Sequence, residues 1–326
     1  MKKVAVIPGD GVGPEVVEAA VTVLKELPVD IDFTEYPAGD AVMEKEGTAL
    51  PEDTLRGARE ADAVLLGAVG ETAADVVIRL RQDLDTFVNL RPIKAYSGVD
   101  CVDPSADLVI VRENTECLYA GIESRIAPGV TTATRVITER ASKRIAKYAY
   151  DYAESEGLSL VSAVHKNNVL PLTGGQFLAG VEEVSKNYDV KSEDVLVDAA
   201  ALYLVKEPER FEVLLTTNLF GDILSDLAAG LIGGLGLSPS ANIGEEHGLF
   251  EPVHGTAPDI AGEGVVNPTA ALLSSSYMLK FFDESELAEK LEKAVEKTLA
   301  AGETTPDLGG ELTTTEMAHS VLENLS

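Results

Sequence analysis

Cysteine is nearly absent from this chain, which carries only Cys101 and Cys117. Two are too few for a disulfide framework, and the count implies a reducing cytoplasm. Long apolar runs are missing as well; none approaches the roughly 20 residues that span a bilayer. Met1-Lys2-Lys3 passes straight into an apolar strand with no small-residue cleavage site, so no secretory signal is expected. Basic residues are scarce, 26 against 55 acids, for a net charge of −29. Such a field repels nucleic acid and anionic membranes, and neither is expected as a partner. It also repels a small anionic substrate unless the site carries local cations.

What is present describes a folded protein. With 326 residues, 45% of them hydrophobic, the chain can bury a large core, and two lobes are expected. The acids are dispersed, as in Glu15, Glu18, Glu26 and Asp283, Glu284, Glu286, Glu289, rather than gathered in a tail. That dispersion reads as adaptation to high salt, where screening reduces self-repulsion. Apolar strand patterns over 4–7, 31–36, 63–66, 108–111, 131–137 and 160–164 alternate with helical ones over 14–27, 52–60, 73–85 and 139–156. Alternation of this kind predicts an α/β fold with a largely parallel sheet. Segments 238–244 and 251–259 read as loops, and helices over 268–282 and 285–301 close the chain.

The most informative stretch is Asn218-Leu219-Phe220-Gly221-Asp222-Ile223-Leu224-Ser225-Asp226, after the apolar run 211–217. On a helix beginning near Leu219, Asp222 and Asp226 fall four apart on one face. Two carboxylates so placed repel unless a cation lies between them, and oxygen donors suit Mg²⁺ or Mn²⁺. The alternative is a pair of solvated acids. Arg81, Arg91 and Arg112 abut apolar runs, which suits bidentate carboxylate recognition, with structural ion pairing as the alternative. Lys166 ends an apolar strand, at the edge where α/β sheets bind ligands. The glycines of Pro8-Gly9-Asp10-Gly11-Val12-Gly13-Pro14 lack dinucleotide-loop spacing and predict a tight turn.

With these residues laid out, the whole chain resembles the β-decarboxylating dehydrogenases, whose substrates are isopropylmalate, isocitrate and homoisocitrate. The likeness is collinear from Gly9-Asp10-Gly11-Val12-Gly13-Pro14-Glu15 to Pro306-Asp307-Leu308-Gly309-Gly310. Gly70-Glu71-Thr72-Ala73-Ala74-Asp75-Val76-Val77 resembles the archaeal isopropylmalate branch. The resemblance implies a two-domain α/β fold, mostly parallel and not a Rossmann fold. Its cofactor domain would be 1–95 plus 237–326, and its smaller dimerisation domain 96–236. Arg81, Arg91 and Arg112 would hold the malate-type carboxylates. Asp222 and Asp226 would hold Mg²⁺ or Mn²⁺, with Asp198 from the other subunit of a homodimer reaching both metal and substrate. Tyr119 and Lys166 would be the acid–base pair, Lys166 also crossing the interface.

His254, Gly255, Thr256, Ala257 and Asp259, with Asn267, would embrace the adenosine end of the cofactor. Asp259 stands where NADP-using relatives have lysine; a carboxylate there accepts ribose hydroxyls and repels a 2′-phosphate, which favours NAD. Val77 and Ile78, four and three residues before Arg81, share its helix face and offer an apolar wall, so isopropylmalate is the expected substrate of the three. Arg79 points to the other side; turned inward, it would admit a tricarboxylate. Cys117 stands where relatives carry an acid or glycine and reads as a packing residue. A regulatory subunit without activity would have lost catalytic side chains, whereas this chain keeps them all. The acid-rich surface predicts a melting temperature that rises with KCl, readable by thermal unfolding; greatest stability at low ionic strength would contradict the high-salt reading.

Overall fold

The computed structural model describes residues 1–325. The chain divides into two compact units. The first is built from 1–86, 95–104 and the chain from Ile232 onward; the second is Phe87–Lys94 and Ser105–Leu231. The expected boundaries differ, since 87–94 belongs to the second unit and 96–104 with 232–236 to the first. Strand pairing explains the transfer: Val88–Lys94 runs antiparallel to Asp107–Glu113 along its whole length.

In the first unit the strands lie in the order Ile31–Glu35, Lys2–Ile7, Ala63–Leu66, Gly248–Pro252, Pro239–Ile243. The first four are parallel and the last is antiparallel to its neighbour. Val4, Ala5, Val6 and Ile7 are all buried, as expected of a parallel strand covered on both faces. Helix Gly13–Glu26 opens with Pro14 in its first turn and buries Val16, Val17, Ala20, Val23 and Leu24 as one stripe. The second unit repeats the plan, in the order Val88–Lys94, Asp107–Glu113, Val213–Thr216, Leu160–His165, Lys191–Leu196. Its first pair is antiparallel and the rest are parallel. This is the α/β, mostly parallel architecture expected, and it differs from the six-stranded Rossmann order. The glycine-containing turn after Ile7 is tied down by backbone bonds, Asp10 N–H to the Ala68 carbonyl (2.7 Å) and Val12 N–H to that of Thr256 (3.0 Å).

Three expectations are corrected. Segments 238–244 and 251–259 are not all loop: Pro239–Ile243 and Gly248–Pro252 are paired strands. Their Ser240 and Asn242 are fully buried, and Asn242 Nδ2 satisfies itself on the Leu249 carbonyl (3.0 Å) and Glu251 Oε1 (2.8 Å). Small polar residues suggest loops only when no partner meets them. The helix over 73–85 is really a π-turn, Ala74–Ile78, followed by a short α-helix, Arg79–Asp83. The strand over 131–137 is half of a hairpin, Glu123–Ala127 with Val130–Ala133, and Val136 makes a lone bridge to Cys117. Among the described residues no helix is long and apolar enough to cross a membrane.

Candidate functional site

Helix Asn218–Leu231 carries Asp222 and Asp226 on one face, as its spacing requires. Arg112, at 1% exposure the most enclosed cation here, enters from strand Asp107–Glu113. Its Nε and Nη2 both donate to Asn218 Oδ1 (3.0 and 2.7 Å), and Nη1 donates to Asp222 Oδ1 (2.5 Å). Gly221 makes room for it, since a Cβ there would stand 2.6 Å from the Arg112 Cγ. Arg91 Nε donates to Asn89 Oδ1 (2.8 Å), and its Nη1 donates to Ser225 Oγ (2.7 Å) and Asp226 Oδ1 (3.3 Å). Arg91 Nη2 lies 3.7 Å from Asp222 Oδ1. Two guanidinium cations therefore balance two carboxylates. Burial pushes the Asp226 carboxyl above its usual range, Asp222 adds to that, and Arg91 and Arg112 oppose it.

Tyr119 completes this cluster. Its hydroxyl donates to Asp222 Oδ2 (2.5 Å), and the Arg112 guanidinium lies 5.1 Å from its ring centre. Burial, then the bond to Asp222, raises the phenol above 10, so it is held as a protonated donor. The loop leading to it is anchored by buried Glu113, which accepts from Thr115 N–H (2.8 Å) and Glu116 N–H (2.9 Å). Cys117 is buried at φ 69°, ψ −139°, a conformation natural to glycine. Lys166 follows strand Leu160–His165 and forms an ion pair with Asp198, in the first turn of helix Val197–Lys206. That bond is the main cause of the lowered carboxyl pKa of Asp198. Among the described residues no three His, Cys, Asp or Glu side chains gather to hold a metal. One helix thus offers two oxygen-donor carboxylates, a set that suits Mg²⁺ or Mn²⁺ given further ligands from outside the chain.

In the first unit, Arg81 is buried and donates from Nη2 to Glu251 Oε1 at 2.6 Å. Removing Glu251 would leave a buried charge unpaired, a loss on the order of 3–5 kcal/mol. Within the π-turn Val76 belongs to the core, Val77 packs against it and Ile78 is half-buried. The widened turn supersedes the α-helical spacing used to align Val77 and Ile78 with Arg81. Arg79 is exposed and pairs with Glu52 (3.4 Å) and Asp83 (3.6 Å).

A cavity of about 320 Å³ has apolar walls of Val12, Ile260 and Val266 and polar groups from His254, Asn267 and Asp307. Gly255 and Ala257 also line it, whereas Thr256 lines a second cavity and Asp259 is exposed in the loop. His254 Nδ1 meets the Gly255 carbonyl (2.9 Å), and its buried Nε2 has no partner among the described residues. Asn267 donates to Asp307 Oδ2 at 3.1 Å.

Sequence reasoning missed the residues that orient the arginines: Asn218, Asn89, Ser225 and Glu251. Asn89 carried a signal, because two residues apart on a strand places it on Arg91's face. Glu251 carried none, lying 170 residues from Arg81.

These features define an α/β protein whose second unit sets Arg91 and Arg112 against Asp222 and Asp226. A family model for isocitrate/isopropylmalate dehydrogenase matches residues 3–321. The chain is 55% identical over 322 residues to the 3-isopropylmalate dehydrogenase of Archaeoglobus fulgidus, covering 98% of each. It is 48% identical over 330 residues to the isocitrate/homoisocitrate dehydrogenase of Thermus thermophilus, covering 99% of this chain and 98% of that one. The crystal structure of isocitrate dehydrogenase from Methylococcus capsulatus matches with a TM-score of 0.96 at 43% identity, covering 100% of this chain and 99% of that one. The chain belongs to the isocitrate/isopropylmalate dehydrogenase family.

Burial holds the His254 ring below its ordinary pKa of 6.5. As pH falls, the unfolded chain therefore takes up this proton before the folded one. Stability attributable to His254 is intact above about 6.5 and declines below it. In urea unfolding between about pH 7.5 and about pH 5.5, a His254→Gln variant should lose less stability than wild type. Equal slopes would contradict the assigned shift.

Proposed function

We propose that this chain is an NAD-dependent 3-isopropylmalate dehydrogenase, a homodimer assisted by Mg²⁺ or Mn²⁺ and acting in cytoplasmic leucine synthesis. The observation that carries the reading is the Arg91–Arg112–Asp222–Asp226 cluster with Tyr119 hydrogen-bonded into it. A dicarboxylate entering there would take the guanidinium donors now held by aspartates, freeing Asp222 and Asp226 to bind a cation. Arg81 is assigned to the same substrate on the family likeness. Bound NAD would accept a hydride, and a bound divalent ion would steady the charge that develops on oxygen.

The chain's own groups do the rest. Lys166, reaching across from the second copy and acting as the neutral amine, removes the proton of the 2-hydroxyl. Loss of CO₂ from the β-carboxylate leaves an enolate, and Tyr119, kept protonated, gives its phenolic proton to the enolate carbon, which leaves the 2-oxo acid and a tyrosinate. Val77 and Ile78 supply the apolar surface for an isopropyl group, and Arg79's pairing with Glu52 and Asp83 supports its exclusion from that surface. The relatives at 54–55% identity, named for 3-isopropylmalate, support this choice over the 44–48% relatives named for isocitrate or homoisocitrate. The cavity lined by Val12, Val266 and Asp307 supports an adenosine end at His254 and Asn267, since its apolar walls would take a flat base and its polar groups the hydrogen bonds. Asp259 would favour NAD over NADP by charge.

Exposed apolar side chains on the second unit support the dimer: Ile126 (65%), Leu172 (87%), Leu202 (55%) and Ile223 (59%). A two-stranded hairpin exposed throughout, Glu123–Ala127 with Val130–Ala133, is marginal without cover. Ile223 directly follows Asp222, so cover there would come beside the metal ligands. Lys166 and Asp198, already paired with each other, would then serve the second copy's site.

The purified protein should reduce NAD with 3-isopropylmalate in preference to isocitrate or homoisocitrate. Lys166→Ala and Asp222→Asn should each lose roughly 10²-fold or more in turnover, the scale of one electrostatic group. Mixing the two inactive variants under subunit exchange should restore partial activity. Preference for a tricarboxylate would overturn the substrate, and failure to complement would overturn the shared site.

A further inference from the structure

Three consecutive backbone N–H groups in the first unit are all claimed by carboxylates from elsewhere in that unit. Gly70 N–H donates to Asp10 Oδ2 (3.1 Å), Glu71 N–H to Asp40 Oδ2 (2.9 Å) and Thr72 N–H to Asp40 Oδ1 (2.9 Å). The Thr72 hydroxyl adds a bond to Asp40 Oδ1 at 2.7 Å. Asp40 is itself seated on Asp10, whose Oδ2 accepts the Asp40 N–H (2.9 Å) and whose Oδ1 accepts that of Ala41 (3.3 Å). A Cβ at Gly70 would stand 2.0 Å from Asp40 Oδ2, so a side chain there would displace the Asp40 carboxylate. In so acidic a chain two adjoining carboxylates repel, and these donors offset the repulsion. The Thr72 bonds hold the Asp40 carboxyl below its usual range, so it stays ionised.

The clamp acts on a segment that matters. The Thr72 carbonyl accepts the N–H groups of Asp75 (2.9 Å) and Val76 (3.1 Å), and so starts the π-turn Ala74–Ile78. Val69, Gly70, Glu71 and Thr72 border a cavity of about 780 Å³ shared with Gly255 and Thr256. Thr72 is thus a joint, gripped by Asp40 on one side and launching the turn with Val77 and Ile78 on the other. Single-turn π insertions of this kind are local distortions that a helix does not adopt unaided.

We infer that Asp40, seated on Asp10, is a positioning residue for substrate discrimination: by clamping Thr72 it fixes where the Ala74–Ile78 turn begins, and so where Val77 and Ile78 stand. The inference rests on the proposed use of those two side chains to select the substrate. Neither aspartate needs to touch the substrate. Each acts through the backbone of Gly70–Thr72.

The test compares wild type with Asp40→Asn, Thr72→Val and Thr72→Ser. Thr72→Val keeps the side-chain shape and removes only the hydroxyl donor, so a folded variant is available even if Asp40→Asn is unstable. In Asp40→Asn and Thr72→Val the kcat/KM ratio of 3-isopropylmalate over isocitrate should fall roughly tenfold, equivalent to 1.4 kcal/mol. The fall should come more from a raised KM for isopropylmalate than from kcat, and Thr72→Ser should keep the wild-type ratio. Amide hydrogen exchange at Glu71 and Thr72 should quicken in Asp40→Asn without substrate present. An unchanged substrate ratio in folded Asp40→Asn and Thr72→Val would overturn the inference. A wild-type enzyme inactive on isopropylmalate would instead overturn the substrate assignment, and unchanged exchange in Asp40→Asn would still refute the clamp by itself.

Discussion

The second unit depends on the mutual compensation of two arginines and two aspartates. Arg112 is buried in the chain and cannot shed its charge, so it requires an anion at hand. Asp222, at 2.5 Å, supplies one, and Asn218 fills the other side of the guanidinium fork. Asp222 and Asp226 would repel each other on their shared helix face without Arg91 and Arg112. Much of the local design follows from that balance. Gly221 leaves space for the arginine, Asn89 and Ser225 orient Arg91, and Tyr119 donates to the remaining oxygen of Asp222.

A balanced set of charges has a chemical consequence. Adding a divalent cation alone gives the cluster an excess of two positive charges, and adding a dicarboxylate alone gives the opposite excess. Adding both restores neutrality. The electrostatics therefore favour joint occupation by cation and dianion over either one alone. In an enzyme of net charge −29, this also supplies the local cations that an anionic substrate needs.

Much of this was legible in the sequence. Alternating strands and helices announced an α/β fold because the buried stretch of a parallel strand, such as Val4 to Ile7, must be continuously apolar. Asp222 and Asp226 could be placed on one face because helical geometry fixes which residues are neighbours. Strands Pro239–Ile243 and Gly248–Pro252 were hidden because the Ser240 N–H donates to Ser274 Oγ and Asn242 Nδ2 to the Leu249 carbonyl, pairings that composition does not reveal. The π-turn Ala74–Ile78 was hidden because the contacts that hold it, Asp10 and Asp40, lie far back in the chain. Helix Thr314–Asn324 could have been read from its capping box, Thr313 with Glu316.

The most direct measurement is Mn²⁺ binding to the wild-type protein by paramagnetic resonance, with and without 3-isopropylmalate and without cofactor. Charge compensation predicts weak binding of the ion alone and an affinity raised at least roughly tenfold by the hydroxy acid, with reciprocal tightening of the acid by the ion. Equal Mn²⁺ affinity in the two conditions would contradict the account. The arginines and aspartates would then not form the coupled charge set on which it rests.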